Sequence, residues 1–254
     1  MKVVILAGGY GTRIASIDNN LPKPMLPIGG YPVLYHIMKI YSFFGHKDFY
    51  IALGYKAETI KKYFRDFYFN NSDLKINLNN NQVTVLNERK LDWNVNLIDT
   101  GLESLTAKRL RILKKYIGNN KFLLTYGDGL SNIDINKLIE FHNSHKKIAT
   151  VTAVRPTAKF GDLEINGDKV VSFNEKNQLN TGWISGGFFV FEPEIFDLLS
   201  DNNEMLERTV LKNLAEDGNL LSYKHNGFWQ CMDTQKDYNL LQELWKNNPI
   251  WHRE

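Results

Sequence analysis

The sequence predicts an α/β chain: a Rossmann-like, doubly wound, mostly parallel but mixed sheet flanked by helices, with small antiparallel additions. Three observations predict it. Residues 3–7 (Val-Val-Ile-Leu-Ala) form a short unbroken apolar run, the pattern of a strand covered on both faces. That run ends in a glycine turn, Gly8-Gly9-Tyr10-Gly11, and apolar runs then alternate with segments of helical period. Two further pairs of short apolar runs flank turn residues, and these supply the antiparallel additions.

In chain order, Pro32 suits the first turn of a helix whose apolar residues are Val33, Leu34, Ile37, Met38, Ile40, Tyr41 and Phe44, and Gly45 stops it. Residues 49–53 read as the second strand, followed by a helix with Ile60, Tyr63, Phe64 and Phe67 on one face. Residues 74–78 and 82–86 flank Asn79-Asn80-Asn81 and read as a hairpin, because Asn tolerates the left-handed region. A lid or a subunit contact is the alternative use of that segment. Residues 95–98 are a strand leading to Asp99-Thr100-Gly101, and a helix starts near Thr106 and Arg109 and runs to about Tyr116. Residues 122–126 form a strand closed by Gly127-Asp128-Gly129. A helix over 135–145 and a strand over 149–154 follow. Asn166-Gly167-Asp168 turns between residues 163–165 and 170–173. Residues 188–191 are a buried strand, and Pro193 opens a helix. Met205, Leu206, Val210, Leu211 and Leu214 make a core stripe ended by Gly218. Residues 220–223 are the last strand, and Thr234 caps a final helix to Trp245. Trp251, in the tail, is expected to pack against a neighbouring subunit.

Composition bounds the partners. The 254-residue chain can bury a substantial core as one domain, and its formal net charge is only +3, with the basic residues dispersed. Neither a nucleic acid nor a membrane is an expected partner. His142 and His145 stand three apart on a helix without a further ligand cluster, so a solvated face explains them better than zinc. The single cysteine, Cys231, excludes an internal disulfide. The apolar run after Lys2 is too short for a signal core or a spanning helix, and the expected location is cytoplasmic.

The glycine turn carries the chemistry. A loop rich in exposed N–H groups, followed by Thr12 and the planar donor fork of Arg13, is suited to a polyphosphate. It is not a dinucleotide fingerprint, because Ile14 stands where the third glycine belongs and no acidic residue ends the next strand. It is not a P-loop either, since no Lys-Ser or Lys-Thr follows. What stands is L-A-G-G-x-G-T-R, then Pro22-Lys23-Pro24-Met25 about ten residues later. Asp128, between glycines at a strand's carboxyl end, is placed either to bind a hard cation or to cap the next turn. Asp233, beside the capping Thr234, has a structural use in the cap.

The two elements together resemble the signature of the sugar-1-phosphate nucleotidyltransferase family. The resemblance continues through Thr125-Tyr-Gly-Asp-Gly129, Phe160-Gly161, Glu175-Lys176, Gly186-Gly-Phe-Phe-Val190 and Gly227-Phe-Trp-Gln-Cys-Met-Asp-Thr234. Within the family it is similar to the cytidylyltransferases that act on glucose 1-phosphate, through Trp93-Asn94-Val95, Asp99-Thr100-Gly101 and the Gly-Phe-Trp-Gln end. It implies one nucleotidyltransferase domain over 1–254, with 1–130 mainly binding nucleotide and 131–254 mainly binding sugar phosphate and carrying the final helix. It implies that CTP and a sugar 1-phosphate give a CDP-sugar and pyrophosphate, that Mg²⁺ sits on Asp128 and Asp233, and that the chain forms a homo-oligomer. Lys23, Arg13, Asp128 and Asp233 become the catalytic candidates. Leu6, Ala7, Gly8, Gly9, Gly11, Thr12, Arg13, Lys23, Thr106 and Arg109 become nucleotide-binding candidates, Arg109 against a plain reading as a solvated helix residue. Tyr126, Gly161, Glu175, Lys176, Ser185 and Gly186 become candidates for the sugar phosphate, with Glu175-Lys176 read otherwise as a surface pair. Four positions depart from the family pattern: Leu21 for Lys, Asn177 for Pro, Ser185 for Asn and Cys231 for Pro. Ser185 removes an amide donor and so alters one hydroxyl contact. The alternatives are the same reaction with UTP, dTTP or GTP or with another sugar, and a non-catalytic nucleotide-sensing subunit.

Overall fold

The computed structural model describes residues 1–14, 17–87, 90–156, 162–166, 168–174 and 182–252. The first strand, β1 (Lys2–Leu6), is apolar and buried, and it sends alternate side chains to opposite faces of the sheet. Val3 and Ile5 join one core, Val4 and Leu6 the other. Two short strands, β2 (Pro27–Ile28) and β3 (Tyr31–Pro32), then lead into α1 (Val33–Phe43). Pro32 stands at its N-cap, and Gly45, with φ +83°, lets the chain leave it. Strand β4 (Asp48–Leu53) and helix α2 (Ala57–Asn70) complete the first strand–helix alternation. The expected hairpin is β5 (Asp73–Asn77) with β6 (Gln82–Asn87), and Asn81 takes the left-handed conformation at φ 56°.

Then come β7 (Asn94–Asp99), α3 (Thr106–Ile117), β8 (Phe122–Tyr126) and the short β9 (Gly129–Ser131). Helix α4 (Ile135–Asn143), capped by Asp134, precedes β10 (Ala149–Val154), and β11 (Asp162–Asn166) pairs with β12 (Lys169–Asn174). The chain closes with β13 (Ile184–Phe191), α5 (Val210–Glu216), β14 (Leu220–His225), β15 (Trp229–Cys231) and α6 (Gln235–Asn247). After Pro193 the chain makes only a 3₁₀ segment, Pro193–Leu198, and the expected helix of the core stripe begins at Val210. The strand over 220–223 is not the last, because β15 follows it.

Seven strands form the central sheet in the order β14-β10-β13-β8-β1-β4-β7. All pairings are parallel except those of β13, which runs antiparallel to β8 and β10. The connections diverge to either side of β1, and ligands of such sheets bind beyond the strand ends at that point. Because β13 runs backwards, its first residues, Ser185 and Gly186, arrive at the edge where β1 and β8 finish. One core packs the sheet against α1, α2, α4 and α6, the other against α3 and α5.

Two side-chain expectations are corrected as well. His142 is not on a solvated face: it is 1% exposed, with Nδ1 bonded to Thr150 Oγ1 and Nε2 3.2 Å from Glu192. Trp251 packs inside its own chain, 1% exposed, against Phe228, Trp245 and His36.

His36 is buried under these rings, and its Nε2–H donates to Ile28 O at 2.8 Å. Burial lowers its pKa from the usual value near 6.5 to about 4. As pH falls, the unfolded chain therefore takes up this proton before the folded one does. The stability this site contributes is intact above about pH 6.5 and lost as pH drops towards 4. His36→Asn should reduce the loss of urea-unfolding stability between pH 7 and pH 5 by about 2 kcal/mol, the part this site contributes. An unaltered slope in the variant would show that His36 does not carry it.

Candidate active site

The glycine turn lies at the carboxyl end of β1 and is held from behind by a buried cation. Arg109, on α3, is 4% exposed. Its guanidinium donates to the carbonyl oxygens of Gly8, Leu53, Gly101 and Leu102 and to Thr100 Oγ1, at 2.7–3.1 Å. The solvated-helix reading of Arg109 therefore fails. Gly8 is glycine for a packing reason: a Cβ there would stand 2.3 Å from the guanidinium. Of the three glycines of the turn only Gly11 has positive φ, at 63°, and a Cβ on it would fall 2.9 Å from Lys23 Cβ. The turn thus passes directly over Lys23.

Lys23 begins a 3₁₀ turn, Lys23–Met25, set by Pro22 and Pro24. Its Nζ lies 2.6 Å from Asp128 Oδ2 and 2.5 Å from Asp233 Oδ1, and the lysine side chain is 12% exposed. Burial opposes its charge, yet the Asp128 charge and the hydrogen bonds the ammonium donates to both carboxylates carry its pKa up to about 12. The ammonium therefore stays charged at neutral pH.

A pairing across the chain brings the two carboxylates together. Strands β9 and β15 are antiparallel, with Gly129 opposite Cys231, and Met232 N–H donates to Asp128 O at 2.9 Å. Asp128 and Asp233 lie just beyond the ends of those strands, and both carboxylates reach the Lys23 ammonium. The capping reading of Asp233 does not hold, because the cap is built by its neighbours. Thr234 Oγ1 accepts from Asp237 N–H, and Asp237 Oδ2 accepts from Thr234 N–H, a closed capping box. One donor atom each of Asp128, Cys231 and Asp233 lie within 4.8 Å of one another. Carboxylate oxygens at that separation suit a hard divalent cation, and a spot that already accommodates an ammonium accepts positive charge. Burial pushes the Cys231 thiol up, with Asp128 adding to the effect.

These groups open on a cleft of about 720 Å³. Among the expected site residues, Leu6, Ala7, Gly8, Gly9, Gly11, Thr12, Lys23, Thr106, Arg109, Tyr126, Asp128, Ser185, Gly186 and Asp233 all line it. Gly161, Glu175 and Lys176 lie outside the described residues, as do Asn177 and the side chain of Arg13.

Sequence reasoning missed Glu207 and Trp229. Glu207 accepts from both Tyr126 OH and Thr106 Oγ1 and so joins the two halves of the cleft. Burial first, then the Glu207 charge, holds the Tyr126 phenol above its ordinary range. Nothing in the sequence around Glu207 signals this. Met205, assigned to the core stripe, lines the cleft instead. Trp229 lies in the quoted Gly-Phe-Trp-Gln motif, and its Nε1–H donates to Gly186 O at 2.8 Å.

Comparison with known proteins supplies independent findings. Residues 2–244 match the family model described as nucleotidyl transferase. The chain is 44% identical over 247 residues to the glucose-1-phosphate cytidylyltransferase of Salmonella typhimurium, covering 97% of this chain and 96% of that protein. It is 43% identical over 253 residues to a Bacillus subtilis protein named a probable glucose-1-phosphate cytidylyltransferase, covering 99% of each. Among solved structures, HddC from Yersinia pseudotuberculosis superposes with a TM-score of 0.70 at 26% identity, over 95% of this chain and 98% of that one.

Replacing Arg109 by Lys leaves several buried carbonyls without donors, at about 1–3 kcal/mol each before relaxation. Arg109→Lys should lower the denaturation midpoint and weaken nucleotide binding together, and Gly8→Ala, which displaces the same guanidinium, should reproduce both effects. Calorimetric nucleotide titration checks this: wild-type affinity in both variants would detach Arg109 from the turn.

Proposed function

The chain belongs to the nucleotidyl transferase family, and we propose that it joins CTP to a sugar 1-phosphate, glucose 1-phosphate in the first instance, giving a CDP-sugar and pyrophosphate. The observation that carries the reaction is Lys23 held between Asp128 and Asp233 under the glycine turn. The names of the relatives sharing 43–44% of its residues support the choice of CTP and glucose 1-phosphate.

A phosphate oxygen of the sugar phosphate attacks the α-phosphorus of CTP. The new P–O bond forms in line with the one that breaks, and pyrophosphate leaves. The attacking group is already ionised near pH 7, so no general base is required. The obstacle is the approach of two anions, and what the protein must provide is charge neutralisation and alignment. Amides of residues 8–12 would hold the leaving phosphates, with Arg13 assigned to the same oxygens on sequence alone. The Lys23 ammonium, charged throughout the neutral range, would lie between the α-phosphate and the attacking phosphate. Asp128 and Asp233 would hold Mg²⁺, which as a Lewis acid neutralises phosphate oxygens when bound. Arg109 would serve the nucleotide indirectly, by shaping the turn. Tyr126, Ser185 and Gly186 would face the sugar phosphate, together with Gly161, Glu175 and Lys176 on the strength of the sequence.

In this reading the chain is one nucleotidyltransferase domain, residues 1–130 serving mainly the nucleotide and 131–254 mainly the acceptor. Among the described residues no helix is long and apolar enough to cross a membrane. The proposed location is the cytoplasm. A homo-oligomer is the proposed assembly, supported by the exposed Leu78 and Leu86 of the β5–β6 hairpin.

Four nucleotides tested against a panel of sugar 1-phosphates with Mg²⁺, read by pyrophosphate release, should give the highest kcat/KM for CTP with glucose 1-phosphate. A higher value for another nucleotide would reassign the base, and nucleotide binding with no release from any pair would mean a sensing subunit. Lys23→Ala and Asp233→Ala should each lower kcat about 10²–10³-fold while the circular dichroism spectrum is retained. Near-normal turnover in either would remove that residue from the mechanism.

A further inference from the structure

The cluster that faces Lys23 is not made of oxygen alone. Cys231 Sγ lies within 4.8 Å of one carboxylate oxygen each of Asp128 and Asp233. Its position is fixed by strand pairing: Cys231 is opposite Gly129 in the β9–β15 ladder, with Asp128 just before β9 and Asp233 two residues past Cys231. The spot also holds a cation of the chain's own, the Lys23 ammonium, 2.6 and 2.5 Å from the two carboxylates.

Donor chemistry separates the metals that such a cluster takes. Mg²⁺ prefers oxygen and keeps its waters, so it gains little from a sulfur. Zn²⁺, Co²⁺ and Cd²⁺ bind thiolate together with carboxylate, and three protein donors with one position left open is a common arrangement for Zn²⁺. We propose that Asp128, Cys231 and Asp233 form a mixed oxygen–sulfur site for a thiophilic divalent cation, which competes there with the Lys23 ammonium and with Mg²⁺. The thiol proton passes to solvent as sulfur binds, and Lys23 gives up its two carboxylate contacts. Such an ion holds the carboxylates that the reaction needs, so it inhibits turnover while Mg²⁺ supports it. The proposal rests on the reading of Asp128 and Asp233 as the metal carboxylates.

The chain has one cysteine, so any thiolate–metal signal belongs to Cys231. Titration of the intact protein with Co²⁺ should give a saturable sulfur-to-metal charge-transfer band at one equivalent, absent from Cys231→Ser. The Cd²⁺ dissociation constant, measured by calorimetry, should rise at least about tenfold in Cys231→Ser, with Mn²⁺ affinity nearly unchanged. Cd²⁺, but not Mg²⁺, should slow alkylation of the wild-type thiol by iodoacetamide, a readout that needs no variant. No band, or no protection by Cd²⁺, overturns the proposal. Asp233→Asn separates the two readings. If it weakens Mn²⁺ binding while Cys231→Ser leaves Cd²⁺ binding intact, the sulfur ligand is wrong and the carboxylate pair stands. If Asp233→Asn leaves Mn²⁺ and Cd²⁺ binding as in the wild type, both fall.

Discussion

The bridge from the Lys23 ammonium to Asp128 and Asp233 is the constraint on which the rest of the site depends. It joins three segments that lie far apart in the chain: a proline-flanked turn after β1, the end of β8, and the approach to α6. Carboxylates this close repel each other unless a cation lies between them, and a largely buried ammonium is stable only where anions compensate its lost hydration. Each group therefore needs the others. In the proposed reaction the same charges would meet phosphate oxygens and a divalent ion.

A second buried cation does a different job. Arg109 spends its donors on protein oxygens around the glycine turn, so its contribution is shape. A guanidinium suits this because its planar fork reaches several carbonyls at once. Gly8, at the start of the turn, is tied in this way to the end of β4 and the residues after β7. Glu207 plays a comparable part across the cleft, tying Tyr126 of β8 to Thr106 of α3.

Much of the architecture was legible in the sequence because local rules governed it. The β-branched run over 149–154 is the strand its composition predicts, β10, and Thr234 caps α6. The apolar run of β1 and the helical period of α1 and α2 are set by burial on two faces or one, which periodicity records. Where reading failed, a distant segment had decided the outcome. His142 looked solvated because helical spacing does not show what packs above a helix, and Thr150 and Glu192 do so here. Trp251 looked available to another subunit because nothing local reveals the aromatic pocket of Phe228, Trp245 and His36. Arg109 looked like a choice between solvent and ligand, and the carbonyl oxygens that claim it come from the turn after β1, the end of β4 and the loop after β7.

By itself the sequence determined the alternation of strands and helices, the glycine turn at the end of β1, and the residue types able to neutralise phosphate, since each follows from composition and spacing within a short window. Only the tertiary structure decided which of those residues meet. The antiparallel course of β13 and the pairing of β9 with β15, across about a hundred residues of chain, bring Ser185, Asp128, Cys231 and Asp233 to one edge. Convergence of that kind is a property of long-range hydrogen bonding and packing, and no window of local sequence carries it.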